Sequence, residues 1–254
     1  MRNGYFDIHS HVLWGIDDGA REFDESVDLC RMADDCGTGT LFLTPHLIYW
    51  ESAEELFDTR NEKFEELFDV VRQLDLDLNL EKGFEILCDD DIFNIKYFKP
   101  YTLAGTRYIL IEFDFFKTTE SDVRSWCSYL KSFGLVPIIA HPERYAFMLS
   151  DGACVDRLSE DGVLFQINCG SPAGMFGSNS RDFSLRMLDR GFADFIGSDA
   201  HALRSRNTDL EYCFSFYPNE ISTRLLDIAC FENPEKLLKD EQITPNRFCY
   251  FAEN

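Results

Sequence analysis

Short apolar runs alternate along this chain with longer segments in which apolar residues recur every three or four positions. The runs Tyr5–His9, Thr40–Thr44, Leu78–Phe84, Tyr108–Ile111, Leu135–Ala140, Val163–Ile167 and Asp194–Gly197 are too short for helices and read as strands. The other kind predicts helices. Phe23–Cys36 carries Val27, Cys30 and Ala33 at helical spacing and stops at Gly37. Glu51–Leu74 carries the stripe Leu56, Phe64, Leu67, Phe68, Val71 and Leu74. Glu120–Phe133, Val155–Glu160 and Arg181–Arg190 follow, and the last sixty residues also read as helical. Strands and helices in alternation argue for parallel strands joined by crossovers, hence an α/β layered or barrel fold. No repeat, low-complexity tract or Pro/Ser-rich linker interrupts the pattern, so residues 1–254 are expected to form a single domain.

Composition narrows the field. Barrel folds commonly use about 250 residues for one domain, and this chain has 254. With 46 acidic and 24 basic residues the net charge is −22, which gives no bulk field for nucleic acid or an anionic membrane. Hydrophobic residues at 45% and aromatics at 15% exclude a disordered acidic tail. The nine cysteines are odd in number and form no Cys-x-x-Cys pair, which favours buried thiols in a reducing compartment over a disulfide framework. The N-terminus MRNGYFDIHSH has no apolar signal region, and no run of 18 apolar residues occurs. The expectation is a soluble, cytoplasmic protein without membrane insertion.

The chemistry is carried by five histidines. His9, His11, His46, His141 and His201 each fall just beyond a predicted strand, and Asp17, Asp18, Glu85, Glu112 and Asp199 join them in the same register. In parallel α/β folds the C-terminal strand ends converge on one face, so these groups are expected to meet in one cleft. Imidazole and carboxylate together form the donor set for zinc, manganese and iron, and two or three ions bridged by carboxylates are suited to hydrolysis. Glu112 ends the apolar run Tyr-Ile-Leu-Ile, where a carboxylate needs a partner to offset its desolvation.

Read together, Phe-Asp-Ile-His-Ser-His…Asp-Asp-Gly (6–19), Thr-Pro-His (44–46), Ile-Glu-Phe (111–113), Ile-Ala-His-Pro-Glu-Arg (139–144) and Ser-Asp-Ala-His (198–201) resemble the polymerase and histidinol phosphatase (PHP) superfamily. More narrowly the chain resembles the bacterial manganese-dependent protein-tyrosine phosphatases of capsule and exopolysaccharide clusters. Ser171-Pro-Ala-Gly-Met-Phe-Gly177 and Phe183-Ser-Leu-Arg186 carry that narrower likeness, and the resemblance runs from about residue 6 to about residue 240. It implies a distorted (βα)7 TIM-like barrel and three divalent metal ions, manganese by family habit, with iron, zinc or magnesium as other occupants. By the family pattern His9, His11, Glu85 and Asp199 would hold one ion. Glu85 would bridge to a second, completed by Glu112 and His141. His46, His201 and Asp18 would hold the third, with Asp17 the competing acid. The family's phosphate-binding arginines match Arg144 and Arg206.

The reaction the resemblance implies is hydrolysis of phosphotyrosine in proteins, with a tyrosine autokinase that controls polysaccharide export as the expected partner. Bound divalent ions bring the pKa of a water down to about 7 and so supply the nucleophile, while arginines bind phosphoryl oxygens bidentately. A phenolate, pKa about 10, leaves more readily than an alkoxide. A small-molecule phosphoesterase of the histidinol phosphatase kind and an inactive metal-binding scaffold are the alternatives. The cysteine-dependent phosphatase mechanism needs Cys-x5-Arg. The residues six places after the cysteines are Cys36, Phe42, Asn94, Phe133, Glu160, Met175, Asn219 and Lys236, never arginine.

Overall fold

The computed structural model describes residues 4–217, 221–245, 247 and 249–252. Its strands are β1 (Tyr5–Asp7), β2 (Thr38–Leu43), β3 (His46–Leu47), β4 (Asn79–Lys82), β5 (Glu85–Leu87), β6 (Tyr108–Glu112), β7 (Val136–Ala140), β8 (Leu164–Asn168) and β9 (Phe195–Gly197). All pair in parallel, as β1-β2-β4 in one sheet and β3-β5-β6-β7-β8-β9 in the other. Parallel neighbours require the chain to return to the starting end, and helices make most of these crossings. They are α1 (Phe23–Asp35), α2 (Ala53–Gln73), α3 (Glu120–Ser132), α4 (Ala146–Ser150), α5 (Ala153–Glu160) and α6 (Ser178–Asp189). The thirteen residues of α3 begin with a capping box in which Thr119 and Asp122 satisfy each other's backbone N–H groups.

The two sheets belong to one circuit. β3 continues β2 past Thr44 and Pro45, and β5 continues β4 past Gly83 and Phe84. On the far side Ser10 and Ala200 form a parallel bridge, with His11 N donating to Ala200 O and Asp199 N to His9 O, each at 2.8 Å. The seven apolar runs of the sequence thus become seven staves, and the fold is a distorted (βα)7 TIM-like barrel.

The break at Gly83 corrects the single strand expected over Leu78–Phe84. A Cβ there would lie 2.6 Å from Leu103 Cδ2 and 2.9 Å from Thr44 Cγ2, so the staves approach this closely only without a side chain. Arg60 of α2 closes the break. It is buried, its Nη1 donates to Gly83 O at 3.1 Å, and its guanidinium lies 4.5 Å from the Phe84 ring centroid. The apolar stripe of α2 gives no sign of this arginine. Leu74, expected in that stripe, is instead the C-terminal cap and is 38% exposed. The C-terminal region is less helical than its sequence suggests. It forms α7 (Leu210–Phe214), α8 (Thr223–Asp227), a π-helical turn (Ile228–Glu232) and α9 (Asn233–Leu238), then runs without regular structure through its described residues.

Alternation along each stave decides which residues face the barrel axis. Tyr108 and Leu110 of β6, Ile138 and Ala140 of β7, and Leu164 of β8 join Ile8, Phe42 and Phe195 in one interior cluster. Ile109, Ile111, Ile139, Phe165 and Ile167, one position out of phase, pack instead in the larger cluster formed with the helices. By the same parity Glu112 continues the inner row of β6, and Gln166 and Asn168 that of β8. The interior is therefore apolar below and polar at its C-terminal mouth.

Arg60→Ala is expected to lower the free energy of unfolding by about 2–3 kcal/mol, since charged hydrogen bonds to buried carbonyls are lost. Leu74→Ser should stay within about 0.5 kcal/mol of wild type. Urea unfolding midpoints compare the two.

Candidate metal centre

The staves deliver every sequence-predicted donor to the barrel mouth. His9 and His11 leave β1; His46 opens β3 and pairs in register with Glu85, the first residue of β5. Glu112 ends β6, His141 follows β7 directly, and Asp199 and His201 follow β9. The centre of the arrangement is one carboxylate oxygen. Glu85 Oε2 lies 3.1 Å from His9 Nε2, 3.1 Å from His11 Nε2 and 3.2 Å from His46 Nδ1. It is buried and makes no hydrogen bond of acceptable geometry. Its other oxygen lies 2.9 Å from His141 Nε2.

Three groups of donors form around it, in each of which the candidate ligand atoms lie within 4.8 Å of one another: His9, His11 and Asp199; His46, Glu85 and Glu112; and His11, Asp18, His46 and His201. Glu112 Oε1 is 2.8 Å from His46 Nδ1, and Asp18 Oδ1 is 3.4 Å from His46 Nε2 and 3.3 Å from His201 Nε2. The two acids of the Asp-Asp-Gly motif are placed differently. Asp18 faces His46 and His201. Asp17 lies behind them, accepting from Gly19 N at 2.9 Å and His46 N at 3.0 Å and sitting 2.7 Å from His11 Nδ1.

These groups fit divalent cations. Three imidazoles crowded on one buried carboxylate oxygen that they do not hydrogen-bond are what a nitrogen–oxygen metal site presents when its donors aim at a common point. The residues behind the donors fix their orientation. Gln166 Oε1 lies 2.8 Å from His9 Nδ1, and its Nε2 donates to Asn168 Oδ1 at 3.1 Å; Asn168 Nδ2 in turn donates to Asp199 Oδ2 at 2.6 Å. Gln166 and Asn168 are absent from the set of site residues expected from the sequence. Their signal is nonetheless in the chain, because Leu-Phe-Gln-Ile-Asn alternates apolar and polar residues in a strand buried on both faces.

Proton affinity shows the same frustration. Burial opposes charge on His46, yet Glu85, Asp18 and Glu112 outweigh it and push its pKa up to about 12. His11 is likewise burdened by burial, but Asp17 and Glu85 raise it to about 9. Burial would raise Asp17 as well; His11 brings it down to about 2. Burial and the charge on His11 lower His201 to about 4. Protons thus occupy part of the cluster at neutral pH, where cations would compete with them.

Arg144 and Arg206 reach the rim and both lean on Asp199. Arg206 Nη2 is 2.5 Å and Arg144 Nη1 3.5 Å from Asp199 Oδ2. His141, Asp199 and Arg206 all adopt left-handed backbone, with φ of 35°, 53° and 49°. Such strain in non-glycine residues gathers where function over-determines the chain. Beside the cluster runs a cleft of about 710 Å³ whose wall includes Asp18, His46 and Glu112 and, further out, Ile48, Tyr49, Phe115 and Phe116. Cys169 contributes no nucleophile. Its hydrogen bond with Cys213 and its burial hold the thiol pKa well above the usual range.

The family model described as "Capsular polysaccharide synthesis, CpsB/CapC" matches residues 5–239. The chain belongs to the CpsB/CapC family. Its relatives include the tyrosine-protein phosphatase YwqE of Bacillus subtilis, 31% identical over 93% of this chain and 92% of that protein. The tyrosine-protein phosphatase CpsB of Streptococcus pneumoniae is 28% identical over 93% of this chain and 99% of its own. A crystal structure from work on YwqE and CpsB, called there unique metal-dependent tyrosine phosphatases, superposes with a TM-score of 0.81 at 30% identity, covering 95% of this chain and 97% of that one. Among the described residues no helix is long and apolar enough to cross a membrane. All nine cysteines are free, eight of them buried and Cys249 exposed.

Three outcomes are expected for this CpsB/CapC centre. With His11 and His46 protonated when no ion is bound, loading a divalent cation at pH 7 should release about two protons, and affinity should rise between about pH 6 and pH 9. Calorimetry in buffers of different ionisation enthalpy counts them. The linked stability of the metal-free fold runs the other way with pH. Pairing of His11 supports the metal-free fold fully below its unfolded pKa of about 6.5 and is lost as pH rises through about 9. Gln166→Leu should weaken metal binding by roughly 10–100-fold through loss of the His9 orientation.

Proposed function

We propose that the chain is a metal-dependent protein-tyrosine phosphatase and that residues 1–254 act as one domain. The observation that carries this reading is the pair of arginines at the rim of a histidine–carboxylate cluster, both sharing the Asp199 carboxylate. His9, His11, Asp18, His46, Glu85, Glu112, His141, Asp199 and His201 would hold three divalent ions, with manganese the first candidate. Bound there, such ions lower the pKa of water toward about 7 and withdraw charge from phosphoryl oxygens.

The chain's own residues do the rest. Arg144 and Arg206 turn their N–H edges from Asp199 to the phosphoryl oxygens, where planar bidentate donation stabilises developing negative charge. Asp17 holds His11 by its Nδ1, leaving Nε2 for the cluster. The cleft wall of Ile48, Tyr49, Phe115 and Phe116 suits an aromatic ring and its flanking peptide. Membership of a family described by capsular polysaccharide synthesis supports a substrate in that process, and the partner we propose is a cytoplasmic tyrosine autokinase.

After manganese loading, turnover of a phosphotyrosine peptide is expected to exceed that of histidinol phosphate, and the His9→Ala, His11→Ala double variant should lose it. Arg206→Ala should lower kcat by roughly 10²–10³-fold. Preference for histidinol phosphate, or full activity of the double variant, overturns the proposal.

A further inference from the structure

The motif Ser171–Gly177 has no donor in the metal cluster, yet it is built against the arginines. Asn168 N and Ser171 Oγ both bond Glu143 Oε1, at 2.9 and 2.5 Å, tying the start of the loop to the residue preceding Arg144. The loop then folds on itself through Met175 N to Gly170 O at 3.0 Å and Gly177 N to Gly174 O at 3.1 Å. Gly177, at φ 93° and ψ 170°, takes a conformation closed to L side chains and turns the chain into α6. This geometry brings the Phe176 ring to the two guanidiniums. Its centroid lies 4.8 Å from Arg144 Cζ and 5.8 Å from Arg206 Cζ, and the Phe115 centroid lies 4.5 Å from Arg144 Cζ.

We propose that Phe176, assisted by Phe115, is a positioning residue that presents the guanidiniums of Arg144 and Arg206 to the phosphoryl group. The inference rests on the reading of those arginines as phosphate ligands. Arginine side chains are long and lose rotamer freedom when they bind. Stacking occupies the guanidinium face and leaves the N–H edge free, so a ring can hold the group while phosphate bonds its edge. The arginines are 22% and 25% exposed, so the contacts are partly desolvated rather than surface encounters. Ring and carboxylate act in different ways. Asp199 holds the N–H groups until phosphate takes them, and Phe176 keeps the planes in place throughout. Part of the ordering cost of binding is then met before the substrate arrives.

Phe176→Leu keeps apolar volume but removes the π face; Phe176→Trp keeps the face. Inorganic phosphate is titrated calorimetrically into each manganese-loaded variant, and kcat/KM is measured on a phosphotyrosine peptide. The leucine variant is expected to bind phosphate roughly tenfold more weakly and to lose kcat/KM in proportion, with metal content unchanged. The tryptophan variant should retain phosphate affinity within about twofold of wild type. Wild-type affinity in Phe176→Leu, while Arg144→Ala and Arg206→Ala bind phosphate poorly, overturns the positioning role alone. Undiminished phosphate binding in both arginine variants overturns the reading of the arginines and this role with it.

Discussion

Everything at the barrel mouth is organised around the isolation of Glu85 Oε2. A buried carboxylate oxygen without a hydrogen bond is costly, and here three imidazole nitrogens stand within 3.2 Å of it without supplying one. Desolvation disfavours the charge on Glu85, but the charges of His9 and His46 hold it ionised. The cluster is therefore a set of groups whose mutual arrangement is satisfied by cations. Glu85 opens β5 two residues beyond Gly83, whose carbonyl is held by Arg60.

The rest of the centre is orientation. Asp17 behind His11, Gln166 behind His9 and Asn168 behind Asp199 each leave the partner's remaining atoms directed at the cluster. Left-handed backbone occurs at His141, directly after β7, at Asp199, two residues after β9, and at Arg206 in the segment that follows. A site made this way depends little on loops finding their place. Apart from Asp18, which stands in the loop between β1 and α1, the donors stand on or close to strands whose other residues are fixed in the core.

Much of this is legible in the chain. Tyr-Ile-Leu-Ile-Glu has a parity that sends Tyr108, Leu110 and Glu112 to one face, and the structure puts the first two in the interior cluster and the third at its mouth. The histidines at strand ends locate the site because parallel staves share a polarity. What escapes is whatever depends on contact between distant segments. Nothing local marks Gly83 as a break until Leu103 and Thr44 are packed against it. Arg60 looks like a solvent-facing helix residue because its carbonyl partners lie on other elements. Asp17 and Asp18 are neighbours of the same type, and only the placement of His11, His46 and His201 distinguishes them.

The seam between Ser10 and Ala200 has a consequence for how the protein comes into being. His9 and His11 are made well before Asp199 and His201. During synthesis a nascent polypeptide would expose early imidazoles with no matching carboxylate from the final stave. Their shared pocket exists only once the circuit closes. Of the three donor groups, the two that include Asp199 or His201 can form only then, and an ion held across that seam would fasten the first and last staves like a clasp.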